Sequence, residues 1–163
     1  RRAARLGPEG MVRETLRMCT VDPGRVSEQA VAAMIEIARW RAAQPWPTAA
    51  YLEAARSLVR VLARRARFAE MAGRIEAPVL VIHGDRDRLV PLAAVRALVA
   101  GRDGWTLEVL EETGHVPMLE RPEEFAASVE TWLHAGGASA LSAAEAARPS
   151  AAEATAAAEE PAG

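Results

Sequence analysis

The chain has 163 residues, half of them hydrophobic, and a formal net charge of −2 at pH 7, so it can form one modest hydrophobic core. This charge provides no basic surface that would attract nucleic acid, and no stretch is apolar over the length needed to cross a bilayer. We therefore expect neither a nucleic-acid-binding protein nor a membrane protein.

Cys19 is the only cysteine, which excludes a disulfide within the chain. The first residues also lack the basic and apolar pattern of a secretory signal, so we predict a cytoplasmic location. Because Cys19 stands in a methionine-rich apolar context, we expect a small core residue there rather than a thiol nucleophile.

The first 75 residues are predicted to be mostly helical. Apolar residues recur at helical spacing over residues 27–43, and Ser27 can cap that helix. Prolines at 45 and 47 end it, and a longer amphipathic helix is predicted from Thr48 to near Gly73. Its apolar stripe consists of Leu52, Ala55, Val59, Leu62 and Ala66.

Residues 78–134 alternate between strand and helix patterns. The β-branched run 79–82 predicts a strand buried on both faces, and helical spacing over 92–99 follows it. Residues 105–109 alternate like a strand with one wetter face, at a sheet edge, and a last helix begins near Pro122. This order predicts an α/β three-layer sandwich with right-handed crossovers, of which most strands lie upstream.

We divide the chain into a helical segment (residues 1–76), an α/β segment (77–135) and a tail (136–163). The tail consists almost entirely of Ala, Ser, Glu, Pro and Gly. A segment with so few large apolar side chains cannot offset the entropy of ordering, so we expect it to be disordered.

An acid and a histidine follow the two predicted strands. Asp87 comes after the first strand and His115 after the second. Functional groups of open α/β sheets collect beyond the carboxyl ends of the strands, so both side chains are expected at one edge of the sheet. A carboxylate beside an imidazole fixes its tautomer and stabilises the imidazolium that forms when a nucleophile is deprotonated.

Residues 77–134 resemble the C-terminal part of the α/β-hydrolase fold family. The resemblance rests on the run 77–91, which contains Gly84-Asp85-Arg86-Asp87, and on the run 114–125, which opens with Gly114-His115. It implies that Asp87 is the triad acid and His115 the triad base. It also implies that residues 1–76 belong to a cap or lid, in which six residues are candidates to line an apolar substrate pocket, although ordinary packing explains such side chains more simply. These are Met11, Met18, Met34, Trp40, Trp46 and Tyr51.

The nucleophile elbow of that family, Gly-x-Ser-x-Gly, is absent from the sequence, since none of the serines is flanked by glycines. We therefore expect this chain to be part of a soluble hydrolase whose N-terminal half carries the nucleophile, serine or aspartate, upstream of Arg1. The reaction implied is hydrolysis of an ester, thioester, amide or carbon–carbon bond in a small-molecule substrate with an apolar moiety, with no cofactor. The oligomeric state cannot be read from the sequence.

Three other interpretations compete with this one. The Gly84–Asp87 turn could be a solvated loop in which Asp85 or Asp87 caps the next helix, and His115 an ordinary loop residue. His83, Asp85, Asp87 and His115 could bind a metal, although their spacing matches no metal motif. Finally, the chain could be a noncatalytic remnant that binds a partner or a ligand through its exposed sheet edge and lid.

Overall fold

A computed structural model describes residues 2–44 and 47–137 of the chain. A helical first part is followed by a strand-helix-strand-helix second part. The elements are α1 (Arg2–Cys19), a 3-10 turn (Pro23–Arg25), α2 (Glu28–Ala42), α3 (Pro47–Ala63), α4 (Arg65–Gly73), β1 (Val79–Gly84), α5 (Leu92–Val99), β2 (Trp105–Leu110), α6 (Pro117–Glu120), α7 (Pro122–Trp132) and a π-helical turn (Leu133–Gly137).

The first two helices pack against each other. Helix α1 is kinked at Gly7, whose φ of 64° lies in the left-handed region, directly before Pro8. Helix α2 begins as the sequence predicts: the Oγ atom of Ser27 accepts a hydrogen bond from the Ala30 N–H at 3.2 Å. Asp22 caps the 3-10 turn in the same way, by accepting from the Gly24 N–H at 2.8 Å.

The single helix predicted from Thr48 to Gly73 is wrong, because the chain breaks at Arg64 into α3 and α4. Arg64 has φ −103° and ψ 66°, outside the helical region. The predicted apolar stripe on α3 is also largely exposed, with Val59 at 65% and Leu62 at 52%. Among the described elements α3 packs mainly on α4, so its apolar face has little to lie against.

The two strands form a parallel pair. Their register runs from Val79 opposite Trp105 to Gly84 opposite Leu110, so both strands end at the same edge. In the described residues β1 has a neighbour on one side only, and residues 79–82 are half-buried rather than buried on both faces as predicted. Thr106 and Glu108 of β2 are exposed, which agrees with the predicted wetter face.

Helices α5 and α7 both contact the sheet, which completes the predicted alternation. Helix α7 starts at Pro122, as expected for a proline in a first turn, with Glu123 and Glu124 close to its positive end. No helix of the described ranges is both long and apolar enough to span a bilayer. Residues 138–163, most of the predicted disordered tail, lie outside the described residues.

The most deeply buried polar residues gather where α1 and the ends of the two strands meet. Thr20 is 1% exposed, Thr113 0%, Glu120 3% and His83 6%. Leu16, Cys19 and Leu110 are buried apolar neighbours in the same parts of the chain. In the described residues, the buried polar side chains therefore lie in the region that carries Asp87 and His115.

Candidate active site

The loop between β1 and α5, residues 85–91, is called the acid loop, and it folds around the carboxylate of Asp87. Its Oδ1 atom accepts hydrogen bonds from the backbone N–H groups of Leu89 at 2.7 Å and Val90 at 3.0 Å. The side chain is 3% exposed. Helix α5 starts only at Leu92 and has no side-chain cap, so the interpretation of Asp85 or Asp87 as a helix cap is wrong.

His115 lies in the loop between β2 and α6, residues 111–116, which we call the histidine loop, and it faces this carboxylate. Nδ1 of His115 lies 2.8 Å from Oδ2 of Asp87, whereas the imidazole is 39% exposed. An ionised carboxylate only accepts hydrogen bonds, so Nδ1 carries the proton and Nε2 of the neutral ring is left with its lone pair. Within residues 2–44 and 47–137 no side chain forms a hydrogen bond to that Nε2.

Hydrogen bonding keeps Asp87 ionised in spite of its burial. Burial by itself raises the pKa of the Asp87 carboxyl. The bonds from the Val90 N–H, from His115 and from the Leu89 N–H outweigh that effect and hold the pKa below its usual value. A buried carboxylate beside an accessible imidazole is the arrangement that fixes the imidazole tautomer and orients the ring for proton transfer.

The two loops are also joined to each other directly by hydrogen bonds, which brings Asp87 and His115 close together. The Arg86 N–H donates to the Thr113 carbonyl oxygen at 2.9 Å, and Oδ1 of Asp85 accepts from the Thr113 N–H at 3.3 Å. A Cβ atom at Gly84 would collide with the carbonyl oxygens of Thr113 and Gly114. Only glycine therefore allows the end of β1 to approach the histidine loop this closely.

A turn after α1, residues 19–22, packs against both loops. The His115 N–H donates to the Cys19 carbonyl oxygen at 2.6 Å, and a Cβ at Gly114 would collide with that same oxygen. From the acid loop, Nη2 of Arg88 donates to the Thr20 carbonyl oxygen at 2.6 Å. We call residues 19–22 the post-α1 turn; it holds the acid loop and the histidine loop from the same side.

Cys19 is buried, as the sequence suggested for a core residue. Burial raises the pKa of its thiol, and the nearby charge of Asp87 raises it further, against a smaller opposite effect of Arg88. A protonated, buried thiol is a poor nucleophile.

His83 lies close to the pair without forming a strong bond to it. Its Nδ1 is 3.6 Å from Oδ2 of Asp87, too far for a hydrogen bond, and its buried Nε2 has no partner among the described residues. No group of three or more His, Cys, Asp or Glu side chains in the described part of the chain is arranged to hold a metal ion.

The candidate pocket residues of the helical segment are mostly exposed: Trp40 is 58% and Tyr51 73% exposed. Met18 is 52% and Met11 38% exposed, Met34 is half-buried, and Trp46 lies outside the described residues. Of the serines within the described ranges, Ser27 caps α2, Ser57 is exposed on α3, and Ser128 donates to the Glu124 carbonyl oxygen at 3.0 Å. None of these three forms a hydrogen bond to His115.

Sequence reasoning missed the residues that fix the two loops, Arg88, Glu120 and the post-α1 turn. Glu120 is an acid at the end of the apolar run 116–119, directly before the arginine and proline at which α7 begins. That placement is the only signal in the sequence that marks it. One of its partners, the Gly114 N–H, is six residues away, but the other two, the N–H groups of Val21 and Asp22, are 99 and 98 residues away, which no local pattern reveals.

Comparison with known proteins identifies the fold. A family model described as the alpha/beta hydrolase family matches residues 4–128. The chain is 29% identical over 92 residues to the pimeloyl-(acyl-carrier protein) methyl ester esterase of Serratia marcescens, a match that covers 56% of this chain and 34% of that protein.

Two solved structures are also similar. A membrane phospholipase A has a TM-score of 0.54 and 26% identity, covering 79% of this chain and 38% of that chain. A meta-cleavage product hydrolase has a TM-score of 0.54 and 21% identity, covering 78% of this chain and 46% of that one, and shows the fold alone. The chain spans about a third of the length of the curated relative, the Serratia marcescens esterase. Since the family model covers most of the chain, the chain belongs to the alpha/beta hydrolase family.

Proposed function

We propose that this chain supplies the acid, Asp87, and the base, His115, of a hydrolase triad whose nucleophile lies outside these 163 residues. The observation that carries the proposal is the 2.8 Å contact between Nδ1 of His115 and the buried carboxylate of Asp87, with the imidazole itself 39% exposed. The residues 1–76 form the cap of that enzyme in this proposal, and residues 77–135 belong to its core.

In the proposed reaction, Nε2 of His115 takes the proton of a serine hydroxyl as the serine oxygen attacks the substrate carbonyl. Asp87 stabilises the imidazolium that results, and the imidazolium then gives its proton to the leaving group. If the nucleophile is an aspartate, His115 instead deprotonates the water that hydrolyses the covalent intermediate. The serine hydroxyl, or the water in the aspartate mechanism, would approach His115 from the Nε2 side of the ring.

We place carboxylic esters first among the substrates, because the curated relative is a methyl ester esterase. Thioesters, amides and carbon–carbon bonds stay in the proposal, since the same acid and base serve all of them. The apolar side chains exposed on the helical segment support a substrate with an apolar moiety: Trp40 and Tyr51 are each more than half exposed.

A second candidate function is a noncatalytic module that binds a partner along β1. It is favoured by one observation: in the described residues β1 pairs only with β2, so its other edge is free for another strand. The sequence directly upstream of Arg1 discriminates between the two candidates. A strand followed by Gly-x-Ser-x-Gly supports the hydrolase, and a start codon supports the module.

The proposal is tested by expressing the complete open reading frame that encodes this chain and assaying p-nitrophenyl esters. We expect His115→Gln to lower kcat/KM by about 10³-fold or more. His134→Gln is the matched control, because His134 is exposed and its Nδ1 lies 2.7 Å from the Glu130 carbonyl oxygen of its own helical turn. Equal activity of wild type and His115→Gln would contradict the assignment. Stoichiometric fluorophosphonate labelling of the isolated 163-residue chain would contradict the external nucleophile.

A further inference from the structure

The carboxylate of Glu120 is completely buried between the histidine loop and the post-α1 turn. Its side chain is 0% exposed. Oε1 accepts hydrogen bonds from the N–H groups of Val21 at 2.7 Å and Asp22 at 3.0 Å, and Oε2 accepts from the Gly114 N–H at 2.8 Å. Nη1 of Arg25 lies 3.7 Å from Oε1. A buried carboxylate is tolerated only when its lone pairs are satisfied in this way.

These bonds act on the backbone next to His115. Gly114 precedes the histidine, and the His115 N–H itself donates to Cys19, the first residue of the post-α1 turn. Two consecutive N–H groups of the histidine loop are therefore tied to this turn, one directly and one through Glu120. No other side chain of the described residues bridges the two segments with both of its oxygens.

The same turn is also bound by the acid loop, through Arg88 and the Thr20 carbonyl oxygen. Glu120 thus completes a closed set of contacts that runs from the acid loop through the post-α1 turn to the histidine loop. Because the imidazole of His115 is 39% exposed, packing holds the ring only in part, and the position of its backbone also determines whether Nδ1 reaches Asp87.

We propose that Glu120 is a positioning residue: it holds the backbone of His115 at the distance at which the imidazole bonds to Asp87. Its effect on catalysis rests on the proposed function, whereas its effect on the imidazole does not. The sharpest variant is Glu120→Gln, which keeps the volume of the side chain but replaces one acceptor by an NH₂ group. That group would face a backbone N–H, so one side of the bridge must open.

The first measurement reports on the imidazole. In the full 163-residue chain, labelled with ¹⁵N-histidine, the ring ¹⁵N chemical shifts of His115 report its tautomer. We expect Glu120→Gln to move these shifts toward a mixture of tautomers and Glu123→Gln, an exposed glutamate on α7, to leave them unchanged. His115 shifts that stay at the wild-type values in a folded Glu120→Gln chain would overturn the proposal.

The second measurement uses the protein from the complete open reading frame. We expect Glu120→Gln to lower kcat by about 10- to 100-fold with little change in KM, because a small displacement of a catalytic group costs that much. A kcat within twofold of wild type would overturn the positioning role. If the wild type itself is inactive on all substrates, the proposed function fails, whereas the NMR result still decides the role of Glu120.

Glu120→Asp covers the case in which Glu120→Gln does not fold. It keeps the charge but shortens the side chain by one methylene, so its carboxylate should no longer span from the Gly114 N–H to the N–H groups of Val21 and Asp22. The proposal predicts that the chemical shifts of the Gly114 amide and of the His115 ring nitrogens also change in this variant. Both signals at their wild-type positions would overturn it.

Discussion

The two oxygens of the Asp87 carboxylate form hydrogen bonds with two different parts of the chain. Oδ1 closes the turn after β1 by accepting from Leu89 and Val90, and Oδ2 binds the imidazole of His115. A single residue therefore determines both the path of the acid loop and the orientation of the histidine. For this reason its replacement should affect stability as well as activity.

The lowered pKa of Asp87 predicts a pH dependence of stability. A carboxyl whose pKa is lower in the folded chain stabilises the fold above its unfolded pKa of about 3.9, and this contribution disappears as the pH falls through the lower folded value. In urea unfolding from pH 7 to pH 2, we expect the free energy of unfolding to fall less in Asp87→Asn than in wild type. Parallel curves for the two proteins would show that Asp87 is not stabilised as an anion.

Cys19 provides a test of the packing between α1 and the site. Because burial and the charge of Asp87 raise the pKa of its thiol, we expect slow reaction with a disulfide reagent such as DTNB in the folded chain. Reaction in guanidinium chloride should be at least tenfold faster. Equal rates in the two conditions would mean that the post-α1 turn is not packed as described.

The sequence predicts those site residues that directly follow the end of a strand. Asp87 and His115 stand in recognisable local patterns, and the structure places them in contact. Glu120 and Arg88 could not be predicted, because each acts on backbone groups of the post-α1 turn, far away in the sequence. Nearly every residue type carries a backbone N–H and a carbonyl oxygen. The identity of the residue that provides this backbone group is therefore not restricted, and the sequence does not reveal it.

The secondary-structure elements were predictable where local signals mark their ends. Ser27 and Pro122 marked the starts of α2 and α7, and both positions agree with the structure. The break at Arg64 was missed, because no glycine or proline marks it and the apolar spacing continues across it. The prediction that β1 is buried on both faces is also wrong, because among the described residues β1 pairs with β2 alone and its other edge has no neighbouring strand.

Gly84 at the end of β1 should be intolerant of any side chain. We expect Gly84→Ala to lower the free energy of unfolding by about 2 kcal/mol or more, because its Cβ would collide with backbone carbonyl oxygens that cannot move aside. Gly73→Ala, at the end of α4, is the matched control: a Cβ there meets nothing within 4 Å, so stability should stay equal or rise slightly. Equal stability of the two variants in urea unfolding would contradict the close approach of the loops.

In the described structure the candidate site is closely packed, whereas other apolar and strand surfaces are left without a partner. The loops of Asp87 and His115 and the post-α1 turn are closely bonded, whereas the apolar face of α3 and one edge of β1 are open in the described structure. A chain that matches only a third of its curated relative is consistent with both features. We therefore expect the acid and the base to work only together with a nucleophile from elsewhere.

The most direct test of this account compares two neighbouring acids in the protein from the complete open reading frame. Asp87 binds His115, whereas Asp85 joins the two loops through the Thr113 N–H at 3.3 Å. We expect Asp87→Asn to lower kcat/KM on an ester by about 10³- to 10⁴-fold, since an amide can hold the wrong tautomer and cannot stabilise the imidazolium. Asp85→Asn should cost only a few-fold, because its amide oxygen still accepts from the Thr113 N–H, a roughly neutral change in hydrogen bonding. Equal losses in the two folded variants, or a larger loss in Asp85→Asn, would contradict the assignment of Asp87 as the triad acid.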